Sequence, residues 1–171
     1  MRIFIALHTF VWLYFFNLLP SMSRTWEQGG DKFSELIKNS FRIVIPLSLF
    51  GGIIWILFAP LAMTIVYGQN FASGGVALQW LGVACITAAI SGHYRFGLIA
   101  AGYQNREMIT AALGALTAVV LIPIGYLKGG ISGAAAALCL AEILVLLSSW
   151  FFSRRLLFNL PTAILPSKAT I

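Results

Sequence analysis

Arg95 is an ionisable side chain set between largely apolar runs, residues 76–90 before it and 96–102 after it. An arginine in such a place is costly in lipid, so it normally faces a protein interior or an aqueous path. Thr87 and Ser91 precede it by eight and four residues, which puts the three side chains on one stripe of a helix, and Gly102 continues that stripe. This pattern predicts a cavity wall whose cation meets an anionic group such as a phosphate. A structural ion pair, or an arginine that reaches the lipid headgroups, is the open alternative.

Glu142 lies at the centre of the apolar run 131–152. A carboxyl group at that depth is protonated, paired or in contact with water. The functional interpretation is a proton or cation coupling site, or a partner for Arg95. The alternative is a neutral glutamic acid that is hydrogen-bonded to a neighbouring helix. Cys139 and Ser149 share the face of Glu142, which suits the lining of a cavity.

The sequence carries no recognisable catalytic motif. Asp31 is the only aspartate, and no His/Glu pair has zinc spacing. No Gly-x-Ser-x-Gly elbow or phosphate-binding glycine loop occurs. His93 lies about 200° around the helix from Arg95 and is interpreted as a packed or interfacial histidine. Cys85 and Cys139 are interpreted as buried thiols. We therefore expect no enzyme activity, no metal site and no cofactor.

Composition places the chain in a membrane. Of its 171 residues 60% are hydrophobic and 9% are charged, against about 25% charged in a typical soluble domain. The net charge of +6 indicates membrane topology and contact with anionic membrane lipids. Nucleic-acid binding is not expected, because the basic residues are scattered and form no stripe.

The apolar runs predict an all-α, polytopic bundle of about five transmembrane helices. The predicted spans are residues 3–19, 43–67, 76–104, 108–126 and 131–152, followed by a tail at 156–171. A signal peptide is the alternative interpretation of the first run. Between the first two spans, Phe33, Leu36, Ile37 and Phe41 recur at helical spacing after Asp31, a candidate N-cap. They predict a short amphipathic helix at the membrane interface.

Basic residues are distributed unequally between the predicted loops. Most lie after the first span, after the third span or in the tail, whereas Arg2 and Lys128 lie on the opposite side. The positive-inside rule then places the N-terminus outside and the C-terminus in the cytoplasm.

The order of several loose motifs resembles the C-terminal half of polysaccharide (Wzx-type, O-antigen) flippases of the multidrug/oligosaccharidyl-lipid/polysaccharide superfamily. The similar segments span residues 15–155. They are the Pro20-Ser21 to Arg24 segment, Ala59-Pro60 with Val66 to Phe71, Leu78 to Leu81, Leu98 to Gln104, and Gly130 to Ala135 leading to Ala141-Glu142.

The resemblance implies a fold of two helical lobes around a central cavity, of which residues 1–155 would be part of the C-terminal lobe. It implies translocation of a lipid-linked oligosaccharide, carried on undecaprenyl diphosphate, across the bacterial cytoplasmic membrane by alternating access in polysaccharide or lipopolysaccharide biosynthesis. Arg95, with Ser91 and Thr87 on its stripe, would attract the diphosphate, and Glu142 would tune coupling. The chain would then be a fragment whose partner is the missing N-terminal lobe.

Three alternatives remain open. A multidrug/cation antiporter of the same superfamily would be expected to carry more acidic residues in its spans than Glu142. A membrane-embedded glycosyltransferase or polymerase would be expected to place an acidic or histidine cluster at the mouth of a loop. A non-transporting membrane scaffold would form a stable assembly without moving lipid.

Overall fold

The computed structural model describes residues 2–158, and these form helices joined by short turns. The helices are α1 (Arg2–Gln28), α2 (Gly30–Tyr67), α3 (Gly75–Ala100) and α4 (Gln104–Phe158), with a 3-10 helix at Gln69–Gly74. Helix α4 is broken at Gly129 and Gly130, whose backbone angles are not helical. Residues 104–128 and 131–158 are therefore two arms of a hairpin, called here the first arm and the second arm. The expected all-α helical bundle is confirmed.

Three stretches are long and apolar enough to cross a membrane, namely Gly30–Tyr67, Gln69–Ala100 and Gln104–Arg154. The chain is thus a membrane protein with transmembrane helices. The predicted spans 108–126 and 131–152 each fall within one arm of the hairpin. The predicted first span, 3–19, falls within α1, and its passage through the membrane stays a prediction. Of the predicted tail, residues 159–171 lie outside the described residues.

Helix α3 is the centre of the bundle, since it contacts α1, α2 and α4. Its hydrogen bonds reach Glu107 in the first arm and Ser153 in the second arm. It can do so because small residues allow neighbouring helices to approach it closely. Gly92 lies directly beneath the ring of Phe15 from α1, and a methyl group at this position would overlap that ring. Gly82 lies against Trp55 of α2 in the same way.

The first part of α2 corrects the prediction of an interfacial helix. It is continuous with the rest of α2, and Phe33 and Ile37 are buried in a core with Phe15, Met22 and Phe96. The apolar stripe therefore packs against α1 and α3 and does not lie in lipid. The prediction that Asp31 is the N-cap is wrong, because the N-cap is Gly29 and Asp31 stands in the first turn of the helix.

The middle of α2 has the opposite character. Ile43, Leu47, Phe50 and Leu57 are each between 65% and 70% exposed within the bundle. An apolar surface of this kind is stable against lipid tails and unstable against water. The exposure therefore agrees with the membrane assignment.

Candidate functional site

The turn after α3 determines where Arg95 lies. Gly102 has a φ of 81°, a left-handed conformation that favours glycine. The Tyr103 N–H donates to the Leu98 carbonyl at 2.8 Å, and the Gly102 N–H donates to Ile99 at 3.0 Å. This is the hydrogen-bond pattern of a Schellman motif, which ends a helix. The predicted span 76–104 is thus too long, and Gly102 does not continue the polar stripe.

Arg95 therefore lies five residues before the end of α3, about 8 Å from it along the helix axis. The predicted span 76–104 would have placed Arg95 closer to the middle of the helix. Its guanidinium forms an ion pair with Glu107, with Nε and Nη2 donating to Oε1 at 3.0 and 2.6 Å. The exposed fractions of the two side chains are 24% and 17%.

Glu107 is the residue that sequence reasoning missed. It stands in the first turn of α4, where a carboxylate also interacts favourably with the helix dipole. The available signal was an acidic residue placed just beyond the turn that follows Arg95. Glu142, which was considered as the partner of Arg95, does not form this ion pair.

Arg95 and Glu142 are nevertheless brought together, because both line the same two cavities. One cavity, of about 120 Å³, lies between α1, α3 and the second arm and is lined also by Trp12, Phe15 and Gly92. The other, of about 210 Å³, lies between α3 and the two arms, where small side chains such as Gly114 and Ala141 form its wall. Two ionisable residues at apolar walls make this α3–α4 junction the candidate site.

The hairpin holds Glu142 by close packing of its arms. Gly114 lies against Val145, and Gly125 lies against the backbone of Gly133. Small residues at such positions let two helices approach closely. Glu142 is twelve residues from Gly130, about 18 Å along the arm. Its carboxyl group is therefore far from both ends of that helix.

Thr87 and Ser91 are not part of the lining of these two cavities. The Thr87 hydroxyl donates to Ala84 at 2.8 Å and approaches Val83, and the Ser91 hydroxyl donates to Ala88 at 3.1 Å. Both hydroxyls therefore bond carbonyls of their own helix, as is common for these residue types in apolar surroundings. The structure does not bring them together with Arg95 around one space.

A second polar group, which the sequence did not predict, joins α1, α2 and α3. The Ser40 hydroxyl lies 2.6 Å from the Tyr14 hydroxyl and 2.8 Å from Nε2 of His93. His93 is fully buried, and its Nδ1 lies 3.2 Å from the Ala89 carbonyl. The rings of Phe15 and Phe41 pack against it at centroid distances of 4.8 and 4.4 Å. His93 is therefore packed, as expected, with both ring nitrogens near polar partners.

The two cysteines are free thiols, with Cys139 buried and Cys85 partly buried. Among residues 2–158, no three His, Cys, Asp or Glu side chains come together in a way that would hold a metal ion.

Comparisons with known proteins give no neighbour from which to transfer a function. No protein-family model, curated protein or solved structure matches the chain.

Proposed function

We propose that the chain is part of a flippase that translocates a lipid-linked oligosaccharide, carried on undecaprenyl diphosphate, across the bacterial cytoplasmic membrane by alternating access. The observation that carries this proposal is a guanidinium and a carboxyl group lining shared cavities inside a bundle of membrane helices. Ionisable residues in such places mark substrate or ion pathways. The resemblance of residues 15–155 to polysaccharide flippases supplies the class of substrate.

Arg95 is the residue proposed to contact the diphosphate. Arginine has five N–H donors, and the two hydrogen bonds to Glu107 use Nε and Nη2. Donors thus remain for an anion in the cavities, and the planar guanidinium suits phosphate oxygens. Glu107 holds the guanidinium in place, and the anion competes with Glu107 for it.

The size of the cavities indicates how much of the substrate this chain holds. At about 120 and 210 Å³, both are below the roughly 300–1,000 Å³ of ordinary small-molecule pockets. A phosphate group is of suitable size for them, whereas a glycan needs additional surface. We propose that an N-terminal lobe supplies that surface and that the exposed apolar flank of the bundle contacts this lobe and membrane lipids.

The distribution of charge gives the proposed orientation. Helix directions put the α1–α2 junction, the α3–α4 turn and the end of α4 at one end of the bundle. This end carries the basic residues Arg24, Lys32, Lys38, Arg42, Arg106 and Arg154, and the hairpin tip carries Lys128. Under the positive-inside rule the basic end and the C-terminus are cytoplasmic.

Photo-crosslinking tests the proposal. The full chain is placed in lipid nanodiscs with an isoprenyl-diphosphate oligosaccharide that carries a photoreactive group, and labelling is measured with and without unlabelled competitor. We expect competed labelling of the wild type, with at least about a tenfold loss in Arg95→Gln, which corresponds to about 1.4 kcal/mol of binding free energy. Arg24→Gln, an exposed arginine at the same end, is the matched control and should label normally.

Labelling that the unlabelled lipid does not compete, or equal labelling of wild type and Arg95→Gln, would contradict the proposal. Competition by lipophilic cations in place of the diphosphate lipid would contradict it in favour of an antiporter.

A further inference from the structure

The charges at the α3–α4 junction do not sum to zero if every ionisable side chain is ionised. Arg95 contributes one positive charge, and Glu107 and Glu142 would contribute two negative charges if both were ionised. Glu107 already neutralises Arg95 through two hydrogen bonds. An additional carboxylate among apolar walls would be an uncompensated charge in a medium of low dielectric constant, which is strongly unfavourable. The junction therefore requires one further positive charge.

The residues that line the two cavities indicate which kind of cation supplies that charge. A metal cation such as Na⁺ or Mg²⁺ needs several oxygen ligands. Besides Glu142, the lining residues contribute no side-chain oxygen. They are Trp12, Phe15, Ala88, Gly92, Arg95 and Phe96 in one cavity, and Arg95, Ala111, Gly114, Ala115, Ala118, Leu138, Ala141 and Val145 in the other. These walls suit a proton, which needs one oxygen, and they do not suit a metal ion.

Among the residues that line the two cavities, none besides Arg95 can supply a positive charge. Helix α1 presents Trp12 and Phe15 to the first cavity, and the first arm presents alanines and a glycine to the second. Cys85 lies on α3 and Cys139 lies on the second arm, three residues before Glu142, and neither thiol can supply a positive charge. Arg95 is thus the one cation among the residues that line these cavities.

We propose that Arg95, Glu107 and Glu142 form a site that binds one proton, held on Glu142 while Arg95 is paired with Glu107. Because the three groups interact, the proton belongs to the triad and its position depends on which carboxylate pairs with Arg95. This inference does not depend on the identity of the transported substrate.

Difference infrared spectroscopy of the full chain in nanodiscs at neutral pH tests the site by counting protonated carboxyl groups. The chain has five acidic side chains, and the other three, Glu27, Asp31 and Glu35, are exposed. We expect one buried protonated carboxyl in the wild type. Glu142→Gln should remove its carbonyl band, and Glu142→Asp should shift the band instead of removing it, which provides a second variant if the first folds poorly.

The two remaining members of the triad give opposite expectations. In Glu107→Gln the freed Arg95 should pair with an ionised Glu142, so the band should disappear although Glu142 is intact. In Arg95→Gln neither carboxylate has a cation, so two protonated carboxyls should appear. Glu35→Gln is the matched control and should leave one band.

Several results would overturn the inference. They are the absence of a protonated carboxyl in the wild type, a band that persists in Glu142→Gln, and a band that remains unchanged in Glu107→Gln. Loss of the band when sodium is added to the wild type would show a metal cation in place of the proton.

Discussion

Helix α3 takes part in two junctions whose polar side chains have different surroundings. At the α1–α2–α3 junction, His93 is fully buried, hydrogen-bonded to Ser40 and enclosed by aromatic rings. A cavity of about 250 Å³ lies at the same junction, and no charged side chain lines it. Arg95 and Glu142, in contrast, line cavities of about 120 and 210 Å³ where the hairpin packs against α3. Satisfied polar groups stabilise a fold, whereas ionisable side chains beside open space are typical of functional sites.

Replacing Phe15 by alanine should be the strongest perturbation of the α1–α2–α3 junction. Its ring is 1% exposed and packs against His93 and Phe96, and loss of a buried phenyl group costs about 3–5 kcal/mol. Equilibrium unfolding in mixed detergent micelles would measure the free energy of unfolding. Phe58→Ala, at a side chain 55% exposed, is the control and should change the free energy of unfolding little. Equal losses of stability in the two variants would show that the junction is not a core.

Gly92→Ala should destabilise the same junction by about 1–3 kcal/mol, because the added methyl group overlaps the Phe15 ring and forces the helices apart. Gly51→Ala is the matched control, since nothing lies within 4 Å of the new methyl group. Helix propensity predicts a neutral to slightly stabilising effect there. Equal unfolding free energies for the two variants would contradict the close approach of α1 and α3.

Ser40→Ala should cost about 1–2 kcal/mol. The change removes the hydroxyl that Tyr14 and Nε2 of His93 share, and His93 is the buried member of the pair. An unsatisfied buried group costs about 1–3 kcal/mol, and a hydrogen bond within a membrane contributes about 0.6 kcal/mol on average. Ser48→Ala on the same helix is the control, because that hydroxyl bonds its own helix. A double-mutant cycle with His93→Phe should show coupling; additive effects would contradict the network.

Thr87→Val and Ser91→Ala should have the smallest effects, within about 0.5 kcal/mol of stability, with normal photolabelling. Their hydroxyls bond carbonyls of α3 and do not line the cavities. Loss of labelling in either variant would show that the replaced side chain belongs to the binding site.

The sequence was sufficient for the features that depend on local pattern. Hydrophobic composition predicted an all-α membrane bundle, and the apolar runs 108–126 and 131–152 predicted two spans that each fall within one arm of the hairpin. The polar character of Arg95 and Glu142 identified the two side chains that share the cavities. Each of these features follows from a short stretch of chain.

Features that depend on distant contacts were not predicted. The pairing of Arg95 with Glu107 depends on the left-handed turn at Gly102, which ends α3 early and directs α4 back along it. The burial of Phe33 and Ile37 depends on where α1 and α3 lie, and an apolar stripe alone does not distinguish a lipid surface from a protein surface. The link between Ser40 and His93 crosses 53 residues, so no periodicity indicates it.

We propose that the α3–α4 junction binds the ligand, whereas the α1–α2–α3 junction stabilises the fold. Measuring photolabelling per folded molecule and unfolding free energy together, for Arg95→Gln and Ser40→Ala, tests it most directly. We predict that Arg95→Gln loses labelling about tenfold with a stability change below that of Ser40→Ala, and that Ser40→Ala loses stability while the folded fraction labels normally. The reverse pattern, or loss of labelling in both variants, would contradict the account.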